Sequence, residues 1–153
     1  MCRTIKFGGP FKRFNSCLRI YIQGYSLTES CCTGTVMENS DLGTDTVGKP
    51  MTGVEVRLVD WDEGNYKVVD SPNPRGEIVL GGDPIAKGYF KMPEKTKEDF
   101  FEENGTRWFR TGDIGEFDQF GQLRIVDRKK DLVKLQLGIF FFGKFIFKYL
   151  LIN

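Results

Sequence analysis

The residues in this chain with the clearest capacity for chemistry are Thr111, Gly112 and Asp113. An ionised carboxylate only accepts hydrogen bonds and can take two donors side by side. Two neighbouring hydroxyls, such as the 2′ and 3′ groups of a ribose, match that geometry. Asp next to Gly also orders turns, so the tripeptide alone leaves both readings open. Two further segments carry reactive side chains: Tyr25, Thr28 and Glu29 upstream, and Arg128, Lys129, Lys130 and Lys134 downstream. Read alone, Thr28 and Glu29 are a surface pair, and the basic run at 128–130 is a solvated turn. The chain has no His, which removes the commonest general base and metal ligand. Any chemistry must run on carboxylates, Lys, Arg, backbone amides and a bound metal ion.

The elements that must position these residues are mostly strands. Of the 153 residues 18 are Gly, about 12% against a usual ~7%, which favours a turn-rich, strand-rich architecture. Alternation over 14–22 predicts a strand that delivers Tyr25, Thr28 and Glu29 at its C-terminal end, where open α/β sheets bind ligands. A turn is expected at 47–50, then strands at 53–61 and 76–82, with 85–90 continuing the pattern. The helix candidate is 93–103: Pro93 suits the first turn, Glu94 lies near its start and Gly105 just beyond its end. Phe100 and Phe101 would form its buried face. Trp108 and Phe109 lead into a compact turn on Gly112. Strands at 114–117 and 122–126 join in a hairpin at 118–121, with Gly121 supplying a positive φ.

Composition narrows the class. Lys and Arg number 22 against 21 Asp and Glu, so nothing argues for a nucleic-acid surface. Cys2, Cys17, Cys31 and Cys32 show no C-x-x-C spacing, which argues against a zinc site or a secreted disulfide framework. Reduced thiols in a cytoplasmic protein follow. Residues 1–10 carry no secretory signal.

Three segments, taken in order, resemble the adenylate-forming enzymes: Gln-Gly-Tyr-Ser-Leu-Thr-Glu at 23–29, Thr-Gly-Asp at 111–113, and Asp-Arg-Lys-Lys-Asp-Leu-Val-Lys-Leu-Gln at 127–136. Asn-Pro-Arg-Gly-Glu-Ile at 73–78 and Asn-Gly-Thr-Arg-Trp-Phe at 104–109 point to the long-chain fatty acyl-CoA synthetase branch. The resemblance spans about 14–138. It implies an α/β parent fold, of which this chain is a mainly β slice with few helices: a distorted small β-barrel of the AMP-binding large domain plus a hinge. The expected division is a non-matching 1–13, large domain 14–127, hinge and start of a small domain 128–138, and an apolar tail 139–153.

The resemblance also implies roles. The residue matching Tyr25 stacks on adenine, Thr28 hydrogen-bonds the α-phosphate, Glu29 holds Mg²⁺, and Asp113 takes the ribose hydroxyls. Arg128 contacts ribose and phosphate, Lys130 marks the hinge, and Lys134 approaches the active site. Ser26 stands where the family usually has Gly. The parent reaction joins a fatty carboxylate to the α-phosphorus of ATP, releasing pyrophosphate; CoA thiol then displaces AMP. ATP or AMP, Mg²⁺ and CoA are therefore the expected cofactors, and a long-chain fatty acid the substrate.

The phosphate loop and a C-terminal lysine of the family lie outside this sequence, so the chain alone is expected not to make acyl-CoA. Membrane association would rest on segments outside it. The family resides on the cytosolic face of the endoplasmic reticulum, the mitochondrial outer membrane or the peroxisome. Two alternatives stay open: a non-catalytic short form or gene-model fragment that associates with an intact synthetase, and a ligase for another carboxylic acid. The tail at 139–153 is shorter than the ~20 residues a membrane span needs and carries Lys144 and Lys148. It reads as translated non-coding sequence and is expected not to pack as a family small domain would.

Overall fold

A computed structural model describes residues 22–38, 45–134 and 140–142. Of the strand expected at 14–22 only Ile22 is described, and it is not in a strand; residues 1–13 and most of 139–153 lie outside the described residues. The order is β1 (Gly24–Ser26), a 3-10 turn (Thr28–Ser30), β2 (Gly34–Val36), β3 (Lys49–Pro50), β4 (Val54–Val59), a 3-10 turn (Asp62–Gly64) and β5 (Arg75–Gly82). Helix α1 (Pro93–Asp99) follows, then β6 (Phe100–Glu103), β7 (Thr106–Phe117), β8 (Leu123–Arg128), a 3-10 turn (Lys129–Asp131), β9 (Leu132–Lys134) and β10 (Phe140–Phe142). The mainly β reading holds. The barrel does not close: a three-stranded sheet β1-β2-β3 stands beside a five-stranded sheet β4-β5-β7-β6, in which β8 also pairs β7.

The two sheets meet where Val47 N donates to Leu123 O (2.7 Å) and Leu123 N donates to Gly48 O (2.8 Å). The turn expected at 47–50 is cut short here. Gly48 takes φ +82, and a Cβ on it would sit 2.0 Å from Val36 O, so only Gly lets Lys49 and Pro50 reach their pairing with β2. Tyr25, Leu27, Ile78, Leu80, Ile85, Phe100, Phe109 and Leu123 form the core. It draws on both sheets and on the connection after β5, and burying such side chains contributes roughly 1.5–3 kcal/mol each.

The helix is shorter than expected. Pro93 opens it and it ends at Asp99, where Phe100 turns to extended backbone and starts β6. Phe100 does bury, but on a strand, with its ring 4.8 Å from that of Phe109. Glu103 pairs with Thr106, so Asn104 and Gly105, at φ +53 and +80, form a two-residue hairpin loop. Asn-Gly is the strongest short hairpin signal, and here it overrides the helical pattern before it.

Residues 85–90 are irregular rather than strand. Pro84 has no N–H to give a ladder, and Ala86 N donates to Glu29 O (2.8 Å). By contrast, the hairpin at 118–121 forms as read. Asp118 Oδ1 accepts from Phe120 N and Gln122 N (2.8 and 2.9 Å), and Gly121 takes φ +73. In the apolar tail, β10 pairs antiparallel with β9 in a sheet of its own, a strand that the unpatterned run did not suggest. No helix among the described residues is long and apolar enough to cross a membrane.

Candidate functional site

The centre of the site is a bulge. Glu77 faces Ile114 and Val79 faces Arg110, so Thr111, Gly112 and Asp113 together stand opposite Ile78. The compact turn expected at Gly112 is therefore an interruption inside one continuous twelve-residue strand. On its other edge β7 pairs with β6 up to Phe109 and with β8 from Asp113 onward. Gly112 at φ +71 bridges the change of partner. Local hydrogen bonds replace the lost ladder: Thr111 Oγ1 donates to Ile78 O (2.7 Å), and Asp113 N donates to Thr111 Oγ1 (3.1 Å). A bulge re-aims side chains, and here it turns Asp113 into the sheet junction.

Asp113 is 1% exposed, and both of its oxygens are engaged. Tyr25 Oη donates to Oδ2 (2.8 Å), and Arg128 Nε donates to Oδ1 (2.7 Å). Arg128 lies directly across the ladder from Asp113, so the pair is set by strand register. The structure thus brings together three residues that stand far apart in the chain. Burial pushes the Tyr25 phenol well above its usual value of 10, and the neighbouring Asp113 charge raises it further. Tyr25 consequently remains a neutral donor throughout the ordinary pH range. Its ring is 1% exposed and lies in the core.

Thr28 and Glu29 sit on the 3-10 turn after β1. Thr28 is exposed and Glu29 half-buried. Tyr89 Oη lies 2.9 Å from Glu29 Oε1 and 3.3 Å from Asp99 Oδ2. Burial, followed by the Glu29 carboxylate, raises the Tyr89 phenol above its usual value. Ser26 is half-buried on β1 opposite Gly34. Lys130 is exposed on the 3-10 turn that follows Arg128. Lys134 ends β9, paired with Phe140.

Sequence pattern assigns Glu77 only to a strand, yet it is 4% exposed and receives Arg110 Nη1 at 3.3 Å and Lys129 Nζ at 2.8 Å. The available signal was a carboxylate beside an apolar run, since a buried charge requires partners. Sequence pattern likewise gives no sign of Tyr89, because its contacts to Glu29 and Asp99 span separate segments.

Comparison with known proteins places this geometry in context. The model of the AMP-binding enzyme family matches residues 10–90. Long chain acyl-CoA synthetase 8 of Arabidopsis thaliana is 52% identical over 117 residues, covering 76% of this chain and 16% of that protein. The same plant's peroxisomal long chain acyl-CoA synthetase 7 is 44% identical over 116 residues, covering 76% and 16%. Among solved structures, a Mycobacterium tuberculosis fatty acyl CoA synthetase is similar at TM-score 0.59 and 38% identity, covering 78% of this chain and 22% of that one. O-succinylbenzoate coenzyme A synthetase of Bacillus subtilis, in complex with ATP and magnesium ion, is similar at TM-score 0.60 and 29% identity, covering 79% and 24%. The chain spans about a sixth of the length of the curated relatives it matches.

Proposed function

Because this chain belongs to the AMP-binding enzyme family, we propose that it forms the nucleotide-handling part of an ATP-dependent long-chain fatty acid–CoA ligase. The observation that carries this reading is the Tyr25–Asp113–Arg128 junction. A buried carboxylate with about four lone-pair positions gives one bond each to Tyr25 and Arg128, leaving acceptor capacity for two ribose hydroxyls. Access requires Arg128 to move, and its side chain is 52% exposed against 2% for Asp113. A guanidinium released from Oδ1 remains charged and multi-donor, suited to a phosphate.

In the reaction, the fatty carboxylate attacks the α-phosphorus of ATP with pyrophosphate leaving, and CoA thiol then displaces AMP. Asp113 would orient the ribose and the exposed Thr28 hydroxyl would meet an α-phosphate oxygen. For Tyr25, burial supports holding Asp113 in place more than offering a ring face to adenine. Glu29 offers one half-exposed carboxylate, and among the described residues no three acidic or thiol groups cluster to hold a metal. That donor set fits Mg²⁺ held mainly by phosphate oxygens and water. Bound there, the ion would neutralise phosphate charge. Lys130 would serve as the hinge and Lys134 would approach the reacting centre. A division at 127–128, between large domain and hinge, is part of this proposal.

The test is calorimetric titration of ATP with Mg²⁺, and of AMP, into the chain and into Asp113→Asn. Asparagine keeps the shape but loses the charge, and a charged hydrogen bond contributes roughly 1.5–3 kcal/mol, so affinity should fall at least tenfold. Equal affinity in a variant with unchanged circular dichroism would sink the ribose assignment.

A further inference from the structure

Cys31 and Cys32 follow the Thr28–Ser30 turn, and both are exposed free thiols. Both also adopt the left-handed backbone, at φ +50 and +61. L-residues visit that region as single residues, rarely in succession, and an outlier of this kind is a place to look for function. The geometric consequence concerns the side chains. In a strand, adjacent side chains point to opposite faces. Two successive helical residues, whether right- or left-handed, set theirs only about 100° apart. Both thiols thus reach solvent from adjacent positions of one turn, without the opposite-face separation of a strand.

The backbone beneath them is held in place. Cys31 N donates to Thr28 O (3.0 Å) and Cys32 N to Leu27 O (2.9 Å). Ser30, fully buried, accepts from Leu27 N (3.2 Å) and donates to Leu27 O (3.1 Å).

We propose that Cys31 and Cys32 are a vicinal dithiol site for a soft, thiophilic centre of the trivalent organoarsenical class. Both sulfurs bond to one arsenic. Two As–S bonds form, and the arsenic–oxygen bond breaks. The oxygen leaves as water with the two thiol protons, so nothing is oxidised or reduced. The site is independent of the nucleotide reading.

The test uses the full chain carrying Cys2→Ser and Cys17→Ser, with phenylarsine oxide as the probe and intact mass as the readout. One adduct per chain should form, survive excess monothiol and be removed by a dithiol. Adding Cys31→Ser or Cys32→Ser should leave an adduct that monothiol strips, with affinity reduced at least tenfold. Capture should also be at least tenfold tighter in the folded chain than in urea, because the hydrogen-bonded turn fixes the backbone beneath the pair. If the serine background does not fold, the same measurements on the chain with all four cysteines, with peptide mapping of the adduct, replace it. Stripping by monothiol from the intact pair, equal retention by either single variant, mapping to Cys2 or Cys17, or equal capture in urea would each overturn the proposal.

Discussion

Asp113 and Glu77 are both buried carboxylates of one sheet, and the chain neutralises them differently. Glu77 lies on β5 between two cations, Arg110 and Lys129. Asp113 lies in the β7 bulge between one cation, Arg128, and one neutral phenol, Tyr25. The adjacent residues Arg128 and Lys129 thus serve different carboxylates. A doubly paired Glu77 can lose one cation and remain compensated. Among the described residues Asp113 pairs with one cation, Arg128, and that arrangement suits the ligand exchange proposed above.

Removing the cations would break the comparison most sharply. Arg128→Ala leaves a carboxylate that is 1% exposed with a neutral donor among the partners described above. Orphaning a buried charge costs roughly 3–5 kcal/mol, discounted here to about 2–3 kcal/mol because Arg128 is half exposed. Lys129→Ala leaves Arg110 on Glu77 and should cost about 1 kcal/mol. Urea unfolding of the two variants measures the gap. Equal midpoints would mean that Arg110 does not compensate Glu77 as proposed.

Tyr25→Phe sharpens the Asp113 side of the comparison. It deletes one hydrogen bond to a charged acceptor while keeping the ring, so a loss of about 1.5 kcal/mol is expected. A smaller loss than Lys129→Ala would show the phenol to be dispensable.

Alkaline titration probes the same phenol without mutation. The folded Tyr25 resists ionisation while the unfolded one ionises near its usual 10. The folded state then binds more protons, so this contribution to stability is complete below about pH 10 and is lost as pH rises towards the folded value. Tyrosinate absorbance should show delayed ionisation for Tyr25 and Tyr89, coupled to unfolding. Tyr25→Phe should remove part of the delayed signal, and an unchanged titration would contradict the assignment.

The smallest effect is expected at Tyr89→Phe. Its hydroxyl links Glu29 and Asp99 in a half-buried setting, where a hydrogen bond contributes about 0.5–1 kcal/mol. If Glu29 also serves the bound nucleotide, the variant should lose more Mg²⁺-dependent affinity for ATP than stability. Loss in stability alone would make Tyr89 a packing residue.

Local pattern was enough for β4, β5 and the β7–β8 hairpin, because alternation and turn residues are short-range signals. It was enough for the start of α1 at Pro93, since proline acts on its own turn. Its end is not legible locally, because Asn104 and Gly105 suit a helix stop and a hairpin loop alike. Only pairing of Phe100 with Phe109 and Phe101 with Trp108 decides between them. The Thr111-Gly112-Asp113 motif was visible as chemistry, but its backbone was not. A bulge exists only relative to the partner strand, and the partner residue Ile78 lies 33 positions away from Thr111.

Residue type by itself settled which groups could do chemistry: a carboxylate beside glycine, a phenol, a guanidinium and no imidazole. Tertiary structure alone decided which of them meet. The contact of Tyr25 with Asp113 spans 88 positions and depends on two sheets joining at Leu123, while Arg128 reaches Asp113 only because strand register sets them opposite. Burial of Glu77 and Asp113 is likewise a property of the packed sheet, and nothing in a single side chain specifies how much water it will lose.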